Sequence, residues 1–310
     1  MNRRNNCTQS VDAGQSELRH YLFTQYAGVL DDQSIEKHIR DYVGFTFANQ
    51  VAPLVAAQTP PGGKILDIGA GFGAFVLAAR RLGLEAIGIE IAGFEVKYAH
   101  QRWRQETPEN GSQAIYHLGN GLALPFGANS FEAVTLWNVL EHISDAKRLL
   151  FEVKRVLKPA GCLYIICPNY AAFRQEAHYL LFWPPLLPRK IASLYLKVRG
   201  KDPNFFETSV FYRTNWEVLR LLQELDMEVR NLKGTIKLSK VEVDTAQQAK
   251  LLEPTLIEDP RRRALLVRLN QFRLIWLVRL GLCLAQVARM LPFYNPFKES
   301  VILSARKGDQ

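Results

Sequence analysis

Three ionisable side chains stand where they could bind or move charge: Asp67, Glu90 and His142. Asp67 lies in Ile65-Leu66-Asp67-Ile68-Gly69-Ala70-Gly71-Phe72-Gly73, where apolar β-formers lead into a carboxylate and then a glycine-rich turn. Glycine permits positive φ and lets a ligand approach where a Cβ would block it. The helix that begins at Ala74 would offer its first amides as unpaired donors. A carboxylate beside them repels a pyrophosphate and attracts an ammonium group. Glu90 ends the next predicted strand, about twenty residues past the turn, where a carboxylate can accept both hydroxyls of a ribose. His142 lies just past the end of a later strand; imidazole titrates near neutrality and could take a hydroxyl proton. Packing, or orienting Glu141, is the competing role for that histidine.

These residues need elements to position them. Lys64–Ile68, Glu85–Ile89, Ile115–Leu118, Phe131–Trp137 and Cys162–Cys167 read as strands, and Ala74–Leu82, Phe94–Trp103 and Asp145–Leu157 read as the helices between them. Strand-helix alternation predicts an α/β, doubly wound, mostly parallel sheet. Upstream, residues 1–15 are polar and expected to fray. Ile35, Ile39, Tyr42, Val43, Phe47 and Val51 have helical spacing, with Ser34 as the expected N-cap. Thr214 should cap a helix running to Leu225, Met227–Leu232 should form a sixth strand, and Glu299–Arg306 a last, antiparallel one.

Gly69-x-Gly71-x-x-Ala74 also fits the dinucleotide fingerprint G-x-G-x-x-G/A. Residues further along the chain point elsewhere. Gly119-Asn120-Gly121-Leu122-Ala123-Leu124-Pro125-Phe126 is similar to the G-D-A-x-x-L-P-F segment of class I S-adenosylmethionine (SAM)-dependent methyltransferases. Val139-Leu140-Glu141-His142 closely resembles the V-L-E-H segment of their quinone-biosynthesis and glycan-modifying members. Lys158-Pro159-Ala160-Gly161 stands where that family usually has L-x-P-G-G, with Ala160 in place of one glycine, and Pro168-Asn169 comes after the next strand. The resemblance implies a Rossmann-like, seven-stranded sheet with an antiparallel last strand and helical insertions.

It further implies SAM as cofactor. Asp67, Gly69, Ala70, Gly71 and Gly73 would hold its amino-acid end, Glu90 the ribose, and Asn120, Gly121 and Leu122 the adenine. Asn138 would line the pocket near the methyl group, and His142 would be the candidate base. The family's usual Asp is Asn120 here, whose amide carbonyl can still accept from an amine without the charge. Some relatives bind a divalent metal through E-x-x-E-H. Asn138 occupies the first of those positions, so Glu141 and His142 stand alone and no metal is expected.

The 310 residues are 48% hydrophobic and 22% charged, ordinary for a globular chain, with net charge +9. That charge permits anionic partners such as a membrane surface. No nucleic-acid-binding motif supports a nucleic-acid partner. Cys7, Cys162, Cys167 and Cys283 form no metal-type cluster. Cys162 and Cys167 should face opposite sides of one strand. Free thiols and the lack of an apolar leader fit the cytoplasm, with peripheral attachment to the inner face of a membrane as an extension.

Four segments are expected: an N-terminal extension (1–33), the SAM-binding domain (34–232) with a lid-like insertion (171–205), a basic amphipathic helical insertion (233–297), and the last strand and tail (298–310). Residues 171–205 mix apolar and aromatic side chains with basic ones, and 261–290 carries arginines 261, 262, 263, 268, 273, 279 and 289 without an acid. Both suit a membrane surface or a lipid-linked acceptor, and packing onto the domain or at a dimer interface is the competing reading of 261–290. The expected reaction is methyl transfer to a hydroxyl of a sugar, quinone or natural product. The rival readings are an NAD(P)-linked oxidoreductase on the same fold and a non-catalytic SAM-binding or membrane-associated protein.

Overall fold

A computed structural model of the chain describes residues 3–107, 113–172, 174–231, 268 and 300–308. The expected helical insertion at 233–297 lies outside the described residues, save Arg268.

The main sheet is built from seven strands: β1 (Lys64–Ile68), β2 (Glu85–Glu90), β3 (Tyr116–Leu118), β4 (Phe131–Trp137), β5 (Leu157–Pro168), β8 (Met227–Asn231) and β9 (Ser300–Lys307). Their order across the sheet is β3-β2-β1-β4-β5-β9-β8. Only β9 runs against its neighbours, pairing antiparallel with β5 and β8. Six parallel strands and one antiparallel strand agree with the expectation from the sequence. A two-stranded ribbon, β6 (Arg174–Gln175) with β7 (Phe182–Trp183), belongs to the insertion after β5.

Both faces of the sheet are covered, which is why its central strands are apolar almost throughout. On one face Ile65, Ala133, Tyr164 and Ile166 pack with α3 (Ala48–Ala56), α4 (Ala74–Arg81) and α5 (Gly93–Glu106). On the other, Leu66, Val134, Leu163 and Ile165 pack with α6 (Ala146–Val156) and α9 (Asn215–Glu224). Cys162 falls on the first face and Cys167 on the second, as their spacing requires. Asp145 caps α6 by accepting from the Arg148 amide at 2.9 Å, and Thr214 caps α9 through the Glu217 amide at 3.1 Å.

Three local expectations need correction. Residues 3–15, expected to fray, are helical, because α1 spans Arg3–Gln25 and is anchored by Leu18 and Leu22, packed with Ile35, Val43 and Phe72. The cap of α2 (Asp32–His38) is Asp31, not Ser34: Asp31 is extended and its carboxylate accepts from the Ser34 amide at 2.8 Å. A π-turn (Ile39–Val43) then leads toward α3. Finally, Lys158–Gly161 is not a free turn before β5. Leu157 already pairs with Phe131, and an irregularity in the β4–β5 register accommodates the extra residues.

The connection after β5 forms a small body of its own. Tyr170, Tyr179, Trp183, Leu196, Phe206 and Val210 make a separate core that also receives Val29. Helices α7 (Arg189–Val198) and α8 (Asn204–Ser209) belong to it. Arg189 lies over the Phe206 ring at 4.5 Å and donates to the Val210 carbonyl at 2.7 Å.

Ala160 is exposed and has φ of +58°, the backbone conformation that suits glycine. An L-residue there costs roughly 1–2 kcal/mol, partly offset by the larger unfolded-state entropy of glycine. Ala160→Gly should therefore stabilise the chain by up to about 1 kcal/mol. Chemical denaturation checks this; a lowered midpoint would contradict it.

Candidate active site

The sheet order reverses direction between β1 and β4, so the loops leaving their carboxyl ends diverge and open a crevice. A cavity of about 660 Å³ fills it. The loop after β1 forms its floor. At Gly69, φ is +71° and an added Cβ would meet Val139 Cγ2 at 2.4 Å, so this position excludes a side chain on two counts. Gly71 (φ +50°) donates its amide to Glu90 Oε2 at 3.1 Å.

Glu90 is the organiser of this end. Its Oε1 accepts from the amides of Ile91 and Ala92 at 2.7 and 3.0 Å, while Oε2 holds Gly71. Thus the glycine loop of β1 is tied to the tip of β2. Asp67 is 2% exposed, and Thr135 of β4 donates its hydroxyl to Asp67 Oδ1 at 2.6 Å. Burial pushes the Asp67 carboxyl up to about 8, the Thr135 bond opposes that rise, and the Glu90 charge adds to it. Glu95, on α5, also lines the cavity and is pushed up to about 7 by burial and then by Glu90. Tyr21 of α1 donates to Glu95 Oε1 at 3.3 Å and stacks on Phe94 with ring centroids 4.1 Å apart. Three carboxylates therefore share one end of the cavity, and two of them resist ionising. A cation placed among them would relieve that cost.

The opposite end is built from imidazoles. His142 sits in a 3₁₀ turn (Leu140–His142) after β4. Its Nδ1 lies 2.7 Å from the Ser209 carbonyl and its Nε2 lies 3.3 Å from Nε2 of His178. Burial first, then the neighbouring His178, lowers the His142 imidazole to about 4. His38 is likewise lowered to about 4 by burial. Glu176, fully buried, accepts from the His178 amide at 2.7 Å and the Tyr170 hydroxyl at 2.7 Å, and its Oε1 lies 2.9 Å from His178 Nδ1. Arg213, only 6% exposed, anchors the turn that carries His142: it donates to the Leu140 carbonyl at 3.0 Å and to the Ile143 carbonyl, and pairs with Glu217 at 2.7 Å.

Of the sequence-predicted residues, Asp67, Gly69, Ala70, Gly71, Glu90, Asn120, Gly121, Asn138 and His142 all line the cavity. Gly73 and Leu122 do not. Gly73 is the left-handed N-cap of α4, and its carbonyl accepts from the Tyr116 hydroxyl at 2.9 Å. The Leu122 amide donates to Asn120 Oδ1 at 2.9 Å. Asn138 takes φ of +55° and donates its amide to the Ile166 carbonyl at 2.7 Å. Thr135, Glu95, Tyr21, His178 and Arg213 are site residues that sequence reasoning missed. Thr135 had a usable signal, since it is the one hydroxyl in an otherwise apolar strand core. His178 had none, because nothing local ties it to His142.

The fold and the crevice define an α/β domain of the nucleotide-cofactor type with an anionic floor. Comparison with known proteins places it more narrowly. The methyltransferase domain family matches residues 66–165. An uncharacterized methyltransferase of Mycobacterium sp. (strain JLS) is 35% identical over 107 residues, 34% of this chain and 39% of that protein. The demethylmenaquinone methyltransferase of Roseiflexus castenholzii is 27% identical over 161 residues, 51% of this chain and 63% of its own length. The ubiquinone biosynthesis O-methyltransferase of Xanthomonas axonopodis pv. citri is 34% identical over 115 residues, 37% and 46% of the two chains. The chain thus spans less than two thirds of the length of these relatives. Residues 66–165 belong to the class I SAM-dependent methyltransferase family. Among the described residues, no helix is long and apolar enough to cross a membrane.

The raised carboxyls of Asp67 and Glu95 make a prediction about pH. Each binds its proton more tightly in the folded chain than in the unfolded one, so stability must fall as pH rises through the interval between the two values. For Asp67 that interval runs from 3.8 to about 8, and for Glu95 from 4.5 to about 7. Melting temperature should decline from pH 5 to 8, with a shallower decline in Asp67→Asn. Equal slopes for the two proteins would contradict the assignment to Asp67.

Proposed function

We propose that this chain transfers a methyl group from SAM to a hydroxyl of an amphipathic, lipid-linked acceptor, such as a sugar, a quinone or a natural product. The observation that carries the cofactor assignment is the carboxylate end of the cavity. Asp67, Glu90 and Glu95 offer a pyrophosphate no positive partner, and its charge would oppose their ionisation further, which counts against a nicotinamide dinucleotide. They suit a ligand bearing an ammonium and a sulfonium. In this reading Asp67 and the Gly69–Gly71 backbone face the amino-acid end, Glu90 accepts from the ribose hydroxyls, and Asn120 with Gly121 borders the adenine. The bound sulfonium makes its own methyl electrophilic, so the protein's share is to align, dehydrate and neutralise.

The acceptor class rests on the insertion. Beyond the glycine loop the cavity is walled by Tyr26, Leu30, Phe47, Leu180 and Phe205, an apolar lining for an apolar acceptor. Outside it, α7 exposes Ile191, Leu194 and Val198, which are 54%, 62% and 75% accessible and spaced three and four residues apart on one face. Lys190 and Lys197 flank that face on one side and Arg199 on the other, and 189–201 contains no acid. An apolar stripe edged by cations is the pattern that beds a helix into an anionic interface. The relatives named for menaquinone and ubiquinone synthesis lend support to an acceptor of this kind.

Calorimetric titration tests the cofactor. SAM and its demethylated product, S-adenosylhomocysteine, should bind, and NADH should not. Glu90→Ala should weaken both sulfur ligands at least tenfold, about 1.4 kcal/mol. Binding of NADH in place of the sulfur ligands would reject the reading. The membrane face is tested separately by co-sedimentation with vesicles of phosphatidylcholine and phosphatidylglycerol. The wild-type chain should pellet with anionic vesicles, while Ile191→Asp/Leu194→Asp should remain in the supernatant and still bind S-adenosylhomocysteine. Equal sedimentation of the two proteins would remove α7 from the proposal.

A further inference from the structure

We propose that Glu141, His142 and His178 form a three-ligand site for a divalent transition-metal ion, with the donor His178 supplied by the insertion. The sequence pattern offered only two neighbouring donors, Glu141 and His142, because Asn138 stands where a further acid would be needed. The fold brings up a third from the insertion, which lies across the cavity. One donor atom from each of the three residues falls within 4.8 Å of the others.

The hydrogen bonds around the two rings decide what lies between them. His142 Nδ1 faces the Ser209 carbonyl at 2.7 Å, an atom that can only accept, so that nitrogen must carry the hydrogen. His178 Nδ1 faces Glu176 Oε1 at 2.9 Å, and that carboxylate also receives the Tyr170 hydroxyl and the His178 and Tyr179 amides. Glu176 is thus an acceptor throughout, and His178 Nδ1 must donate. In the neutral rings both hydrogens are then spoken for, and the two unprotonated Nε2 atoms lie 3.3 Å apart. Two lone pairs this close repel one another unless a positive charge stands between them.

A proton or a metal could supply that charge, and the separation favours the metal. The 3.3 Å separation is longer than the about 2.7–3.2 Å usual for N–H donors, whereas two nitrogens each about 2.0–2.1 Å from a tetrahedral ion stand about 3.3–3.4 Å apart. The outer groups also have the form that orients metal-bound histidines: a backbone carbonyl behind one ring and a carboxylate behind the other. Two imidazoles and one carboxylate suit zinc and its first-row neighbours better than magnesium or calcium. All three residues line the cavity, so a fourth coordination position would open toward it. His142 thereby takes the part of a ligand in place of a general base. Metal uptake is read on the resting protein, so the site stands or falls independently of methyl transfer.

The experiment is titration of the metal-free full chain with Co²⁺, followed by its visible d–d absorption, and with Zn²⁺ by calorimetry. One equivalent should bind, with the intense spectrum of a four-coordinate ion. His178→Ala should abolish that spectrum. Glu176→Gln, which leaves the three ligands in place but weakens the support behind His178, should keep the spectrum and weaken Zn²⁺ binding by about 10–100-fold. A measurement on the wild-type chain guards against variants that misfold: Zn²⁺ should shift the Nε2 nitrogen resonances of both His142 and His178 while their Nδ1 hydrogens persist. Absence of uptake, uptake that survives His178→Ala unchanged, or Nε2 resonances indifferent to Zn²⁺ would overturn the proposal. S-adenosylhomocysteine binding, measured alongside, separates failure of this site from failure of the cofactor reading.

Discussion

A buried carboxylate is costly unless hydrogen bonds or an opposite charge compensate it, and the site is arranged around one such group. Asp67 stands opposite Thr135 in the β1–β4 register and opposite Gly88 in the β1–β2 register. The Thr135 hydroxyl, 2.6 Å away, compensates one oxygen. This bond spans the two strands between which the sheet changes direction, at the base of the crevice. The remainder of the Asp67 cost stands as a raised proton affinity, and the nearby Glu90 charge adds to it. Glu90 is better satisfied, with three backbone amides on its two oxygens. The pair divides the work: Glu90 fixes the shape of the loop, and Asp67 leaves an electrostatic demand that a cation answers.

Walls built from outside the sheet complete the cavity. The first is α1, whose Tyr21 reaches the carboxylate end through Glu95. The second is the insertion after β5, which hangs on a few strong contacts. Glu176 gathers the Tyr170 hydroxyl and the His178 and Tyr179 amides into one buried knot. Arg213 stitches the end of the insertion to the 140–143 turn. Because that turn carries Glu141 and His142, the same arginine positions the His142 side of the imidazole pair. An Arg buried at this depth acts through several carbonyls at once, a role the single ammonium of lysine would fill poorly.

The legible parts of the sequence are those whose chemistry is local. The Asp67 turn, Glu90 and the strand-helix alternation each leave a signature within a few residues: a glycine that must take positive φ, an acid at a strand end, a period that switches from two to 3.6. The structure has each of these where the sequence places it. Ser34 has the position of a cap because it precedes an apolar-periodic run, but the Asp31 carboxylate accepts from the Ser34 amide and starts the helix earlier, which leaves Ser34 inside its first turn. The start of α1 is hidden because its first residues lack an apolar period, and its order comes from Leu18 and Leu22 downstream. Glu95 reads as an ordinary acid in the first turn of a helix, and only the folded chain sets it beside Glu90. His178 is the extreme case: its partners at 142 and 176 are fixed by the packing of the insertion, which no pattern in 171–205 encodes.

The departures from the family's usual residues are also consistent with one another. At 120 an amide replaces an acid, and its carbonyl is engaged by the Leu122 amide at 2.9 Å. What it can still present to a ligand includes a donor, where an acid would present only acceptors. At 138 an amide stands where some relatives resembling this chain have an acid, and its backbone sits at positive φ, a conformation asparagine tolerates better than most residues. Both changes remove negative charge from the cavity wall away from Asp67. Carboxyls then cluster at the Asp67–Glu90–Glu95 end, while the opposite end sets one carboxyl, Glu141, among imidazoles. A cavity with such a gradient orients a ligand that is cationic at one end and neutral at the other, because reversing it would place the cation among imidazoles and leave two buried carboxyls uncompensated. Orientation here comes from where charge has been withheld as much as from where it has been placed.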